Sequence, residues 1–135
     1  MSDLELCYLP ATEAIDRFKA KTLSPMELLT ALIDRAEQAE PVINAFTYRH
    51  FDEAMDKARK AEAKYMSGKR TRALEGLPVG IKDESHIKGK PTSNGSLIMK
   101  DFIASTTSVG NERILRAGGI VHARTATPEF SSAFC

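Results

Sequence analysis

One lysine stands where its side chain could act as a proton acceptor. The surrounding segment, Leu74–Asp83, reads LEGLPVGIKD, so turn-forming glycine and proline residues precede a short apolar run that ends in a lysine–aspartate pair. A lysine that loses contact with water acquires a lowered pKa and can then serve as a base. Lys82 is therefore a candidate catalytic base. The alternative interpretation is a lysine at a strand end with its ammonium group in water.

A short strand is predicted to position this lysine. Val79 and Ile81 alternate with Gly80 and Lys82, which is the period of two that is typical of a strand. On such a strand the apolar pair faces one side and Lys82 faces the other. Because Gly80 has no side chain, we expect the backbone there to approach a neighbouring element closely.

Helices are predicted before this strand, in residues 1–73. An amphipathic helix is expected from Ala11 to about Lys21, and a longer one from Asp52 to about Ser67. The longer helix carries a stripe of small apolar residues and one tyrosine, namely Ala54, Ala58, Ala61 and Tyr65. Small residues allow close packing against a neighbour. Gly68 to Ala73 is basic and turn-like, which predicts an exposed linker.

Residues 25–39 carry the clearest helix start. Ser24 can cap the helix, Pro25 suits its first position and Glu27 can complete a capping box. Pro41 is expected to end the helix. Residues 43–48, which follow, are rich in strand formers and predict a short strand or an extended link.

Residues 74–135 predict the start of an α/β core. Ser108–Ala117 is expected to be a helix, with Val109, Ile114 and Leu115 as its apolar members and Gly118-Gly119 as its stop. Ile120–Ala123 then reads as a buried strand. A strand, a helix and a second strand in this order outline a βαβ unit with parallel pairing.

Four segments, in order, resemble motifs of the amidase signature family. They are the lysine segment (Glu75–Asp83), the threonine turn (Thr92–Ser96), the helix-end segment (Arg113–Ile120) and the Pro-Glu-Phe segment (Arg124–Phe130). The resemblance implies an α/β fold in which N-terminal helices precede a mixed, largely parallel sheet with helices on its faces. Residues 1–135 would form the N-terminal portion of one amidase domain, with residues 1–73 helical and residues 74–135 contributing the first strands and helix of the core.

The resemblance also implies a chemistry. Family members use a lysine, a serine in a cis peptide and a nucleophilic serine to hydrolyse amides through an acyl-enzyme, and Lys82 occupies the position of the lysine. The glycine-rich serine segment of the family lies well beyond the Pro-Glu-Phe motif. Ser131-Ser132 follow that motif too closely, without glycine nearby, to be the catalytic serines. We therefore expect a truncated chain that is inactive alone.

The chain departs from the family pattern at three positions. Arg124 and Ala126 replace the usual lysine and asparagine of the Lys-Thr-Asn-x-Pro-Glu-Phe motif, and Ser108 replaces a frequent aspartate before the helix. Arginine and lysine differ in hydrogen-bond geometry, so the contacts of residue 124 cannot be carried over from the family. Serine also caps helices well, so Ser108 is expected to cap.

Composition and small motifs exclude several other functions. Lys plus Arg is 19 against 18 for Asp plus Glu, a net charge of +1 that gives no reason to expect nucleic acid or an anionic membrane as a partner. The basic residues of the 68–73 linker lack interleaved aromatic residues, so they do not indicate a nucleic-acid site. No apolar run is long enough to span a bilayer, and no signal peptide is evident, so a cytoplasmic location is expected.

No metal or cofactor site is predicted. His50, His86 and His122 are isolated, and Cys7 and Cys135 lie at opposite ends of the chain, without the spacing of a zinc site or a disulfide framework. No phosphate-binding glycine motif occurs. Ser85-His86-Ile87-Lys88 fits Ser-x-x-Lys, but Gly89 and Pro91 follow at once and disfavour the helix that would bring the serine and the lysine together.

Three functional hypotheses remain open. The first is the N-terminal part of an amidase acting on a small-molecule amide. The second is a non-catalytic α/β module, and the third is a subunit resembling the amidase component of a glutamyl-tRNA amidotransferase. If the chain is short of its family's domain, uncovered strand edges and apolar faces should make it self-associate or bind a partner chain.

Overall fold

A computed structural model describes residues 3–132 of the chain. Cys135 lies outside these residues. Five α-helices and three β-strands follow one another in the order α1 (Asp3–Cys7), α2 (Ala11–Ala20), α3 (Pro25–Ile43), β1 (Phe46–Arg49), α4 (Phe51–Met66), β2 (Pro78–Lys82), α5 (Val109–Arg116) and β3 (Ile120–Thr125). Two short 3₁₀ turns cover Leu97–Met99 and Glu129–Ser131. None of the helices in the described range combines the length and hydropathy that a bilayer span requires.

The three strands form one mixed sheet in the order β1-β3-β2. β2 and β3 are parallel, and α5 connects them, so the predicted βαβ unit is confirmed. β1 pairs with the other side of β3 in the antiparallel direction, which confirms the strand alternative for the stretch after α3. The α/β fold class predicted from the sequence is therefore correct.

Helices cover both faces of the sheet. Neighbouring residues of β3 face opposite sides, so they pack against different helices. On one side Ile120 packs against a cluster from α3 and α4, namely Leu29, Ala54 and Ala58. On the other side Val121 packs with Ile81 and Ile87, and Leu115 of α5 lies against them. The α1–α4 region has its own core around Phe18 and Tyr65, whose rings lie 5.7 Å apart.

The alanine stripe of α4 is buried as predicted. Ala54 and Ala58 are completely buried, and Ala61 and Tyr65 nearly so. The Tyr65 hydroxyl donates a 2.9 Å hydrogen bond to the carbonyl oxygen of Glu75, in the segment that leads into β2. The stripe thus brings α4 against the chain that enters the lysine strand.

Helix α3 begins as predicted but ends later. The Ser24 hydroxyl accepts from the backbone N–H of Glu27, and the Glu27 carboxylate accepts from that of Ser24, so the capping box is complete. The expected stop at Pro41 is wrong, since the helix continues to Ile43. A proline in the last turn removes only one backbone hydrogen bond. The helix ends where Asn44 adopts a left-handed conformation at φ +46°.

Helix α5 departs from its prediction at its N-terminus. The Ser108 hydroxyl does not cap it but accepts from the backbone N–H of His86 at 2.9 Å. Val109, predicted as an apolar contact, is 64 % exposed, while Asn111 is buried and donates to Ser85 Oγ and to the His86 carbonyl at 2.9 Å. The helix start is therefore held by the loop after β2 rather than by its own cap.

The predicted linker is exposed for most of its length but anchored at one residue. Arg72 forms a two-point ion pair with the buried carboxylate of Glu75, at 2.7 Å from each oxygen. Lys64 of α4 binds the same carboxylate at 3.2 Å. The chain before β2 is thus attached to α4 by a cluster of charges, which we call the Glu75 cluster.

Candidate active site

Lys82 is the last residue of β2 and points away from the apolar side chains of that strand. Val79 and Ile81 belong to the core cluster behind the sheet, as the alternation predicted, whereas the side chain of Lys82 is 44 % exposed. Gly80 makes no close approach, because a Cβ there would meet only Thr125 at an ordinary contact distance of 3.6 Å. The described residues therefore present the Lys82 ammonium group to solvent, as in the alternative interpretation.

The ammonium group of Lys82 lies in a short polar chain. It is 3.4 Å from the Glu84 carboxylate, which also accepts a hydrogen bond from the Ser131 hydroxyl. Ser131 Oγ lies 3.1 Å from the hydroxyl of Thr127. The hydrogen bond from Ser131, followed by that from Lys82, lowers the pKa of Glu84, so this carboxylate is ionised near neutral pH.

Asp83 connects the end of β2 to the threonine turn. Its carboxylate is fully buried and accepts from the Ser93 hydroxyl at 2.5 Å and from the Ser93 backbone N–H at 3.2 Å. Its backbone N–H donates to the carbonyl of Thr125 at 2.8 Å, and its carbonyl accepts from Asn94 N–H at 2.9 Å. The residue next to Lys82 is thus held on both its main chain and its side chain.

Arg124, on β3, is the largest fully buried side chain of the described residues. Its guanidinium lies 3.6 Å from the Asp83 carboxylate, and it donates to oxygen atoms of Ile81, Lys82, Ser85, Pro91 and Thr92. Burial lowers the pKa of Arg124, and the charge of Asp83 opposes this shift. We call this arrangement the Arg124 cluster.

The threonine turn and the Pro-Glu-Phe segment lie directly against each other. The Phe130 backbone N–H donates to the Asn94 carbonyl at 2.8 Å, and the Ser96 hydroxyl donates to the Glu129 carboxylate at 2.7 Å. Gly95 has φ +69°, and a Cβ there would stand 2.5 Å from the carbonyl oxygen of Thr127. Only glycine fits at this position without moving one of the two segments.

Three of the four segments singled out in the sequence therefore meet at the end of β2. The lysine segment supplies Lys82 and Asp83, and the other two surround them through direct hydrogen bonds. The helix-end segment takes a different place, because it forms the end of α5 and the start of β3, the central strand of the sheet. It supports the strand that carries Arg124 rather than contributing a side chain to the site.

Comparison with known proteins identifies the family of the chain. The model of the family described as Amidase matches residues 27–134. The chain belongs to the amidase family. Its relatives include a glutamyl-tRNA(Gln) amidotransferase component of Gloeothece citriformis, 34 % identical over 82 % of this chain, and an acylamidase of Rhodococcus erythropolis, 33 % identical over 96 %. This amidase-family chain covers only 23 % and 27 % of these two proteins, about a quarter of their length.

Solved structures of the amidase family agree with the fold. A bacterial aryl acylamidase of the amidase signature family superposes on 93 % of this chain with a TM-score of 0.85 and 28 % identity. A fatty acid amide hydrolase superposes on 93 % with a TM-score of 0.86 and 25 % identity. The chain covers 26 % and 22 % of those two chains. The resemblance stated from the four sequence segments is therefore confirmed.

Other candidate residues of this amidase-family chain do not form a second site. Ser85 and Lys88 lie in turns and not on a helix, as their flanking residues predicted. Within residues 3–132 no group of three or more histidine, cysteine or acidic side chains could hold a metal ion. Burial lowers the pKa of His50 and of His122, whose ring stacks with Phe51, so both rings stay neutral near neutral pH.

Sequence reasoning missed three contributors to the site. Glu84 is the contact of Lys82, and Ser131 reaches it from the far end of the described chain. Arg124 stands out in the sequence only as a departure from the family pattern. The nearness of Glu84 to Lys82 was a usable signal, but the other two contacts depend on residues about forty positions apart in the chain.

Proposed function

We propose that this chain contributes the lysine base of an amidase-type hydrolase, an enzyme that cleaves carbon–nitrogen bonds of amides. The observation that supports this most directly is the position of Lys82. It ends a parallel strand at the point where the threonine turn and the Pro-Glu-Phe segment converge around Asp83 and Arg124. A lysine in the same motif is what the family resemblance assigns to the triad.

In the proposed reaction Lys82 acts as a base once it is shielded from water. It takes a proton, through the cis-peptide serine, from the nucleophilic serine, which attacks the amide carbonyl carbon. The proton passes to the leaving nitrogen, the carbon–nitrogen bond breaks and ammonia or an amine departs. Water then releases the acid from the acyl-enzyme. Residues that carry the two serines and cover Lys82 would have to come from outside this chain.

The proposed substrate is a small-molecule amide, and the proposed reaction needs no metal or cofactor. Nucleic acid and membranes are not expected as partners of the hydrolase, and a cytoplasmic location stays a prediction. Apolar side chains exposed near the site, Leu97 and Ile98 at 85 % each, are expected to be covered by further amidase residues, by a partner chain or by self-association.

A second candidate function follows from the relatives. Several are glutamyl-tRNA(Gln) amidotransferase subunits, including one from Carboxydothermus hydrogenoformans that is 32 % identical over 95 % of this chain. If this chain belongs to such a subunit, the ammonia released by the amidase would pass to a tRNA-linked acceptor, and activity would depend on partner subunits. A non-catalytic module, the third hypothesis, would show neither activity.

The first experiment is the intact mass of the polypeptide made by its own cells. A mass above 14.8 kDa means that residues beyond this chain exist, and the natural polypeptide is then assayed for ammonia release from simple aliphatic and aromatic amides. A mass of 14.8 kDa means that the chain is assayed alone and with the proteins that co-purify with it. In both cases the chain of residues 1–135 alone should release no ammonia.

The decisive variant is Lys82→Ala, with Lys88→Ala as its matched control. Lys88 is also an exposed lysine but lies in a turn outside the Arg124 cluster. We expect Lys82→Ala to abolish amide hydrolysis in the active form, a loss of about a hundredfold or more, because the general base is removed. Lys88→Ala should retain activity. Turnover by Lys82→Ala at the rate of the unsubstituted protein would remove Lys82 from the mechanism.

A further inference from the structure

The buried guanidinium of Arg124 touches the backbone on both sides of Lys82. Nε donates to the carbonyl oxygen of Ile81 at 3.3 Å, and Nη2 donates to that of Lys82 at 3.2 Å. The same Nη2 atom donates to the carbonyl oxygen of Ser85 at 2.5 Å. Nη2 therefore links the carbonyl groups at the two ends of the turn from Lys82 to Ser85. Nε binds the carbonyl oxygen of Ile81, in the last peptide of β2.

The other edge of the guanidinium holds the loop that faces this turn. Nη1 donates to the Pro91 carbonyl at 3.2 Å and lies 3.5 Å from the Thr92 hydroxyl. Thr92 is fully buried and begins the threonine turn. A planar group with five donors suits this task, because it can bind several carbonyl oxygens in fixed directions at once.

A buried cation needs compensation, and Asp83 supplies it. Both side chains are 0 % exposed, and their charged groups are 3.6 Å apart. The Asp83 carboxylate is directed by Ser93, so its charge faces Arg124 while its hydrogen bonds hold the threonine turn. A buried charge pair, which is costly to remove from water, is thus placed next to the candidate base.

We propose that Arg124 is the positioning residue for Lys82: it sets the path of the backbone from Ile81 to Ser85, and so the direction in which the lysine side chain leaves the sheet. The catalytic meaning of this assignment rests on the proposed function, whereas the positioning itself is a property of this chain. Arg124 touches no reacting atom and acts only through the main chain of the lysine segment.

A lysine at residue 124 separates positioning from simple support of the fold. Arg124→Lys keeps the positive charge beside Asp83, so it avoids an unpaired buried carboxylate. A single ammonium on a flexible stem cannot reach Ile81, Ser85 and Pro91 together. Arg72→Lys is the matched control, because it makes the same change beside the buried carboxylate of the Glu75 cluster, away from Lys82.

Two measurements on the 135-residue chain test the proposal. The first is hydrogen exchange of the backbone amides of Asp83 and Asn94, whose hydrogen bonds belong to the held turn, against those of Leu74 and Gly76 near the Glu75 cluster. Arg124→Lys should speed exchange about tenfold at Asp83 and Asn94 and leave the other pair unchanged, given the strength of hydrogen bonds to charged groups. Arg72→Lys should do the reverse.

The second measurement follows the Lys82 side chain directly. Lysines are labelled by reductive methylation with isotope-enriched methyl groups, and the Lys82 resonance is assigned with Lys82→Arg. Arg124→Lys should shift or broaden the Lys82 signal and leave that of Lys88 in place, whereas Arg72→Lys should move neither. A merely structural residue would lower stability without moving this signal selectively.

The proposal is overturned if the Lys82 signal is unmoved in Arg124→Lys, or if exchange accelerates equally at all four amides. If Arg124→Lys does not fold, the fallback is the double variant Arg124→Met with Asp83→Asn, which removes the guanidinium without leaving a buried carboxylate unpaired. Its reference is Asp83→Asn alone, and a Lys82 signal that is the same in the two proteins overturns the proposal. The proposed function fails separately, if the Lys82→Ala enzyme is active. That result would not change the hydrogen-exchange or the resonance measurement.

Discussion

Two arginine–carboxylate pairs stand at the two ends of the segment that contains β2, and they are built in opposite ways. In the Glu75 cluster the carboxylate is buried and collects cations, while the side chains of Arg72 and Lys64 remain 49 % and 40 % exposed. In the Arg124 cluster both charged side chains are fully buried. There the arginine is central, and most of its partners are uncharged carbonyl groups.

The difference shows what each cluster can do. A central carboxylate with exposed cations attaches a linker to a helix, and either cation can leave without stranding a charge. A central arginine that binds carbonyl oxygens of several segments determines where those segments run, and its loss leaves a buried acid without its counter-charge. The first arrangement adds support, whereas the second defines the geometry around Lys82.

The largest expected effect comes from removing each arginine in turn. Arg124→Met should cost about 3–5 kcal/mol in the free energy of unfolding, because it leaves Asp83 buried without a counter-charge. Arg72→Met should cost about 1–2 kcal/mol, since Lys64 still binds Glu75. Urea unfolding at neutral pH measures both values. Equal costs would show that the two clusters do not differ in the way their burial indicates.

The next effect tests how tightly the threonine turn packs against the Pro-Glu-Phe segment. Gly95→Ala forces a Cβ to within 2.5 Å of the Thr127 carbonyl oxygen at a positive φ, and should cost about 2–3 kcal/mol. Gly110→Ala is the control, because a Cβ added at this position in α5 would have no atom within 4 Å, so the change should be neutral or slightly stabilising. Thermal unfolding of both variants distinguishes them. A Gly95→Ala protein as stable as Gly110→Ala would mean that the two segments can separate freely.

The Glu75 cluster should make stability depend on acid pH. The hydrogen bonds from Arg72, ahead of those from Lys64, outweigh burial and lower the pKa of Glu75 from 4.5 to about 2. A lowered folded-state pKa stabilises the protein fully above about 4.5, and this contribution is lost as pH falls toward about 2. Lowering this pKa from 4.5 to about 2 corresponds to a loss of about 3 kcal/mol.

Urea midpoints across that pH range, with Glu75→Gln, test this expectation. The variant should flatten the acid dependence, and more so than Glu53→Gln. The pKa of Glu53 is also lowered to about 2, mainly by the hydrogen bond from Lys57, but its side chain is 44 % exposed and solvent screens its interactions. An unchanged pH dependence in Glu75→Gln would contradict the role given to the cluster.

The smallest effect is expected at the Lys82–Glu84 pair. Both side chains are well exposed, so Glu84→Gln should leave the urea midpoint of unfolding almost unchanged. This result would sharpen the comparison of the two clusters. It would show that the ion pair of the candidate base adds nothing to the stability that the Arg124 cluster provides. A loss comparable to that of Arg72→Met would show that the exposed pair has a structural role.

Most of the fold could be predicted from local pattern. The capping box of α3, the alanine stripe of α4 and the βαβ order depend on residues close in sequence, and all three are confirmed. The errors in the predicted helix ends arise where the conformation depends on contacts that the local pattern does not show. The Ser108 hydroxyl binds His86 instead of its own helix, and α3 passes Pro41 before Asn44 ends it.

The candidate site was predicted in its motifs but not in its connections. Four segments were recognised in order, yet nothing in their sequence shows that Arg124 binds the carbonyl groups around Lys82 or that Ser131 reaches Glu84. Such contacts depend on the register of β3 beside β2.

The parallel pairing of β2 with β3 has a consequence for how the molecule folds. Parallel neighbours meet only after the whole connection between them, residues 83–119, has closed into a loop. Closing a long connection slows folding because its entropy is lost before the contacts form. During synthesis from the N-terminus, α1–α4 emerge before β3, so Lys82 gains Arg124 as a neighbour only after the helical region has been made.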